Sequence, residues 1–402
     1  MFSSYFSKLF FRSGEAINIP SVKIHEIETA AEKPSCALKH LLKLNHVNHA
    51  ILFNERRFHN HLPHVLSSAY LLGATTDDLN RIYDIDSRNL DPWSDSPGEI
   101  SPHDWRDYLG KREYQRAYVD FFEDELVRKG YDWKAVVHRF LFSGKEPLIS
   151  SITAGIGHPL IHLGYALEMG SRDVAMEALA MAAISYSDIH KYLDDPSYSH
   201  AEPSYKSVSP LEILEKVRKD KRFNGLFATS ANQNLEILFR EREAALLDHW
   251  NAWKIEDPIK QFRDSQHAAA AILVGTRTEK YDFFLVHILT TSHAVRIILP
   301  LIPTSFHLPL VRQWWLCTLS IYISQLRPEI QLSRITGYEL KGRGWDWAVQ
   351  KAIKGPHSTD AHYVKAIRAL KEGAQTWGDA DKFYLKAAVK FSDEFDGWDG
   401  FV

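Results

Sequence analysis

Cysteine is nearly absent from this chain: Cys36 and Cys317 are the only two in 402 residues, and no C-x-x-C occurs. So few thiols exclude a disulfide framework and a thiolate zinc site, and a reducing compartment is expected. Net charge is lacking too. With 48 Lys and Arg against 51 Asp and Glu, a balance of −3, the chain offers no broad basic surface for nucleic acid or an anionic membrane. No membrane span is expected either, because the most apolar stretch, 283–303, carries His287, His293 and Arg296 and reads as a buried core helix.

Familiar glycine patterns are missing. No G-x-G-x-x-G follows a strand, and the glycine-rich stretch 337–347 has the wrong spacing, so there is no flavin or NAD(P) fingerprint. The absence of G-x-x-x-x-G-K-[ST], G-x-S-x-G and H-E-x-x-H removes P-loop, α/β-hydrolase and zincin readings. Strand signals are scarce, and only 16–27 alternates like a short strand. The opening residues 1–14 carry Lys8 and Arg12 with serines and aromatics and no acid before Glu15. They are weakly transit-peptide-like but lack an apolar h-region. Residues 1–18 are therefore read as an N-terminal arm or weak targeting segment, with a cytoplasmic protein expected and mitochondrial import as the alternative.

What is present is helix. Apolar residues recur at helical spacing over 64–83, 113–142, 159–193, 210–223, 234–254, 259–274, 282–301, 308–326, 361–377 and 382–395. Proline-broken polar stretches at 84–104 and 194–209 read as surface loops, and no repeat of 20 to 50 residues is visible. The expectation is an all-α protein, a single large multi-helix, bundle-like domain over 19–402 with a buried metal site.

That site is expected from the 20 histidines. Pro63 suits the first turn of a helix, which puts His61 at the cap and His64 in the first turn, on one side of the helix. In the segment 157–168, GHPLIHLGYALE, His158 and His162 stand four residues apart on one face of an apolar, buried helix, a spacing that lets two imidazoles share a metal. Satisfied core histidines are the plainer alternative, and metal ligation is the preferred reading of this pair. His287 shares a narrow polar stripe with Thr290, Thr291 and Ala294, whereas His293 points about 120° away and reads as structural. In 360–370, DAHYVKAIRAL, His362 and Lys365 share a stripe. A buried lysine loses its charge and can act as a base, form a Schiff base or be carboxylated into an anionic oxygen ligand. Imidazoles with an oxygen anion and no thiolate suit Fe(II), Mn or Zn.

These segments resemble the questin oxidase-like family of fungal secondary metabolism. The resemblance rests on FHNHLPH…YLLGA at 58–74, GHPLIHLGYALE at 157–168, the His-x-x-Thr at His287 and Thr290, and DAHYVKAIRAL with Lys365 and Arg368, in family order over most of the chain. One departure is Val65, where a further histidine is expected after His64. The resemblance implies an O₂-dependent oxidoreductase that opens the quinone ring of an anthraquinone-type polyketide, by a Baeyer–Villiger-like oxygen insertion followed by C–C cleavage. It implies non-haem Fe(II) held by His158, His162, His287, one of His61 and His64, and Lys365, with NADPH as a reductant. His362, Tyr70 and Arg368 are then proton-transfer or supporting groups, and Trp345 and Trp347 are candidates to stack on a flat substrate. Two other readings stand beside it: a Zn-dependent hydrolase using the same His/Lys site, and a non-catalytic helical binder of a hydrophobic small molecule.

Overall fold

The computed structural model describes residues 16–144, 147–276 and 279–400, and all ten stretches with helical spacing are helical in it. Turn chemistry cuts three of the longest. The first breaks at Gly73 and restarts at Thr75, which forms a capping box with Asp78, giving helices Leu62–Leu71 and Thr76–Asp86. The second breaks at Gly130 and restarts at the Asp132 cap, giving Gln115–Arg128 and Trp133–Phe142. The third breaks at Gly170, where φ is 67° and a Cβ would stand 2.9 Å from Glu26, giving His158–Met169 and Arg172–Ile184. Among the described residues, two helices of ten residues or more, Lys33–Asn48 and Trp345–Lys354, have no counterpart among the stretches read from spacing, and neither do the single turns Pro196–Ser199 and Ser333–Thr336.

The strand expected over 16–27 does not form. Among the described residues no strand pairs with it. Instead the N–H groups of His25 and Ile27 donate to the carbonyls of Glu168 and Met169, both at 2.9 Å, which satisfies acceptors left open at a helix C-terminus. Ile17 is buried, and its N–H donates to His307 Nδ1 at 3.1 Å. The targeting reading of residues 1–14 lies outside the described residues. Among the described residues the strands are two short pairs: Leu52–Phe53 antiparallel to Phe58–His59, and Tyr281–Asp282 parallel to Trp398–Asp399.

The all-α domain is organised around the helix Leu285–Ile298, whose fourteen residues are all buried. It packs against His158–Met169, Pro258–Gly275, His307–Ser324 and Ala361–Trp377, and Leu62–Leu71 packs in turn on the first and last of these. A helix enclosed on every side has no face to keep polar, so the 283–303 stretch is apolar because it is central. No helix among the described residues is long and apolar enough to cross a membrane.

Candidate metal centre

Four helices begin at one place, and each begins with a histidine. His61 is the N-cap residue of Leu62–Leu71, His158 opens His158–Met169, His287 is the third residue of Leu285–Ile298, and His362 is the second of Ala361–Trp377. Pro63 and Pro159 start the first two. Carboxylates start the others: Asp282 accepts from the N–H groups of Phe284 and Leu285 at 2.7 and 2.8 Å, and Asp360 from those of His362 and Tyr363 at 2.9 and 3.0 Å. Converging helix N-termini carry partial positive charge and disfavour an imidazolium among them. Burial acts in the same direction and is the larger cause. It lowers His61, His287 and His362 well below the ordinary histidine value and His158 to about 3, with the Lys365 ammonium contributing to each. The four rings are therefore neutral near pH 7, and each has a lone pair to offer.

Ring nitrogens of His61, His158 and His362 lie within 4.8 Å of one another. His287 adjoins them, its ring centroid 4.9 Å from that of His158 and 4.9 Å from that of His362. Backbone carbonyls fix two tautomers. His158 Nδ1–H donates to Gly155 O at 2.6 Å and His287 Nδ1–H to Phe283 O at 2.9 Å, which leaves both Nε2 atoms unprotonated. Metal-binding histidines are held in this way. His61 Nε2 and His158 Nε2 are 2.9 Å apart. Two imidazole nitrogens each about 2.1 Å from one metal ion stand about 3.0 Å apart at a right angle. The Nε2 atoms of His287 and His362 and the Nζ of Lys365 are buried with no hydrogen-bond partner among the described residues. Burial pushes the Lys365 amine down to about 7, so much of it is uncharged at neutral pH. This donor set fits a divalent cation.

The loop before His158 is strained. Gly155, Ile156 and Gly157 all adopt positive φ, at 59°, 60° and 75°, and a left-handed β-branched residue costs about 1–2 kcal/mol. A Cβ on Gly157 would meet Thr291 Cγ2 at 2.3 Å. Only glycine lets the chain come this close to the central helix and place His158 beside His287.

His64 and His162 belong to a different arrangement. A continuous hydrogen-bonded chain leads away from the centre: His64 Nε2 to His162 Nδ1 at 3.0 Å, His162 Nε2 to Glu177 Oε2 at 2.9 Å, Glu177 Oε1 to His46 Nδ1 at 2.8 Å, and His46 Nε2 to Glu123 Oε1 at 2.7 Å. Glu123, 42% exposed, brings it to the surface. Bonds from the two histidines hold the buried Glu177 carboxyl down at about 2, and bonds to Glu123 and Glu177 overcome burial to raise His46 to about 10. An ionised Glu177 accepts from both sides, so His162 carries its proton on Nε2 and His64 donates from Nε2. The Nδ1 of His64 is then a bare, buried lone pair. Both ring nitrogens of His162 are committed to this chain.

The remaining sequence candidates lie elsewhere. Tyr70, about 13 Å along its helix from His61, bonds Ser35 Oγ at 2.9 Å. Arg368 pairs with Glu168 at 2.5 Å and lies over the Tyr165 ring, tying two helices together. His293 is buried near Arg368 and Arg296. Trp345 and Trp347 line a separate shallow pocket with Arg343.

Sequence reasoning missed His59, Arg112, Glu177 and the C-terminal segment. The antiparallel strand pair seats His59 opposite Leu52, and its ring stacks on His158 at 3.9 Å. The adjacent FHNH spacing was the available signal. The parallel pair returns Trp398 to the site, where its Nε1–H bonds Asp360 Oδ2 at 2.7 Å. A cavity of about 930 Å³ reaches His59, His61 and His158; Phe58, Ile156, Phe283, Phe284 and Phe239 form apolar walls, and Arg112 stands at its edge. Its volume is that of a small-molecule site.

Sequence comparisons identify the family. The model of the questin oxidase-like family matches residues 58–370. A Baeyer–Villiger oxidase of Pestalotiopsis microspora is 28% identical over 379 residues, covering 86% of this chain and 83% of that protein. A questin oxidase of Aspergillus terreus is 27% identical over 84% of this chain and 80% of its own, and a Baeyer–Villiger oxidase of Emericella nidulans is 28% identical over 92% and 90%. A match over most of the chain, with the histidine-bearing segments inside it, means that the protein belongs to the questin oxidase-like family and is an oxidoreductase.

Proposed function

We propose that this protein oxidatively opens the quinone ring of an anthraquinone-type polyketide with O₂, at a non-haem iron held by His61, His158, His287 and His362 together with Lys365. The observation that carries the reading is the cluster of buried ring nitrogens: Nε2 of His287 and of His362 has no hydrogen-bond partner among the described residues, backbone carbonyls leave Nε2 of His158 and His287 unprotonated, and the Lys365 amine beside them is likewise unpartnered there. The names of the relatives support the reaction class. Bound Fe(II) would supply electrons that make O₂ reactive toward a ring carbon. NADPH would act, where a reductant is needed, from solution.

The chain's own residues do the rest. Phe283, Phe284 and Phe239 give a flat aromatic ring apolar surfaces and keep water from the centre. The partly neutral Lys365 amine is the form that CO₂ converts to a carbamate, an anionic oxygen donor beside four neutral imidazoles. His64 Nδ1 accepts a proton released at the centre, and His64 and His162 each donate outward from Nε2, ending at the Glu177 carboxylate that His46 holds from the far side.

The test is elemental analysis of protein purified without oxygen or chelator, followed by incubation with polyketide anthraquinones under ¹⁸O₂. Stoichiometric iron in the parent, none in a His158→Ala/His362→Ala variant that still folds, and ¹⁸O in a ring-opened product are expected. Zinc in the parent and turnover without O₂ would replace this reading with hydrolysis. No metal and no turnover would leave a binder.

A further inference from the structure

Most cations around the cavity have partners. Arg57 pairs with Glu55 at 3.3 Å, Lys191 with Glu243 at 2.8 Å and Arg240 with Glu241 at 3.0 Å. Arg112 differs. It is half-buried, lines the cavity and takes part in no ion pair among the described residues. One of its five N–H donors is used, Nη1 donating to Arg56 O at 2.8 Å. Asp188 and Glu236 line the same cavity, but neither forms an ion pair with it. Burial alone lowers its pKa, with no carboxylate opposing, and its charge is felt by His59 and His158, which places it beside the histidine centre.

A guanidinium losing water without a counter-charge is a costly arrangement unless something anionic completes it. Its planar fork suits the two oxygens of a carboxylate, or a phenolate beside a carbonyl. Phe58, Phe239, Phe283 and Phe284 line the same cavity, surfaces that suit an aromatic ring on the rest of the ligand.

We infer that Arg112 is the anion-recognition residue of the cavity, and that the substrate presents an ionised oxygen substituent of its ring system to it. This rests on the aromatic-substrate reading above and narrows it, since the anionic oxygen fixes which edge of the ring faces His158. It requires no metal, so binding tests it directly.

The experiment is calorimetric titration of the metal-free chain with anthraquinone-2-carboxylate and with its neutral carboxamide, using the parent, Arg112→Gln and Arg112→Lys. A charge-assisted bond contributes about 1.5–3 kcal/mol, so the parent should prefer the carboxylate by roughly 10- to 100-fold. Arg112→Gln should abolish that preference while holding the carboxamide within about twofold, and Arg112→Lys should restore part of it. Retained carboxamide binding shows that the variant is folded. Equal binding of both probes to the parent, or an equal loss of both in Arg112→Gln, overturns the assignment and leaves the aromatic-substrate reading intact. Binding of neither probe to the parent overturns both.

Discussion

Glu177→Gln tests whether the buried carboxylate organises the chain from His64 to Glu123. The parent carboxylate is 1% exposed and accepts from His162 at 2.9 Å and His46 at 2.8 Å. An amide of the same shape offers one acceptor and one donor, so either one of the two histidines faces a donor with a donor or His162 and His64 both shift their protons to Nδ1, which puts the His64 proton on an atom with no partner among the described residues. Removing one partner of a buried charge pair costs about 3–5 kcal/mol, and the lower end applies because Glu123 still holds His46 at 2.7 Å. At about 2.1 cal/mol/K per residue, 402 residues give an unfolding entropy near 0.8 kcal/mol/K, so ~3 kcal/mol lowers the midpoint by about 4 °C. The effect depends on pH. His46 has a folded pKa raised to about 10, so its contribution is complete below its unfolded value of 6.5 and is lost as pH rises through 10. Glu177 has a folded pKa depressed to about 2, so its contribution is complete above its unfolded value of 4.5 and is lost as pH falls toward 2. The gap between parent and variant should be widest between these two unfolded values and narrow by pH 9.5. Urea denaturation of the metal-free proteins at pH 5.5 and 9.5 measures it. A gap below ~0.5 kcal/mol at pH 5.5, the size of an ordinary surface substitution, or the same gap at both pH values, refutes the reasoning.

Gly157→Ala should destabilise the chain by about 2–4 kcal/mol, from left-handed strain plus overlap with Thr291, and weaken metal retention. Adding Thr291→Ser removes the colliding methyl but keeps the hydroxyl that bonds Trp314, so partial recovery of the melting midpoint is expected; no recovery would sink the steric account. Burial lowers the pKa of His59, His61, His64, His158, His287, His293 and His362, so the unfolded chain binds protons below about pH 6.5 that the folded chain refuses. Metal-free stability should therefore fall steeply as pH drops below that value, and a flat profile between pH 5 and 7 in denaturant titrations counts against neutral buried rings. Glu168→Gln leaves the Arg368 guanidinium without its buried counter-charge and should cost about 3–5 kcal/mol, read as a lower denaturation midpoint; an unchanged midpoint would show the pair to be replaceable.

The sequence by itself determined the fold class and the neighbourhood of the site. Periodicity at 285–298, 158–169 and 361–377 needs only local spacing, and a proline after His61 or His158 starts a helix wherever it stands. Spacing ran through the breaks at Gly73, Gly130 and Gly170, where a glycine and a following cap end one helix and start the next, and Ala16 to Ile27 misled because alternation does not say whether a partner strand exists. Which histidines share a centre was decided by the tertiary structure. His158 and His162 lie on one helix face, yet packing neighbours claim both nitrogens of His162, Glu177 taking Nε2 and His64 taking Nδ1, while His158 turns to His61 and His287. Spacing on one helix fixes what two side chains can reach. The elements packed against them, here Arg172–Ile184 on one side and the first turns of three other helices on the other, fix what they meet. Long-range contacts also brought in His59, Arg112 and Trp398, whose roles come from chain segments far apart in sequence that periodicity cannot connect.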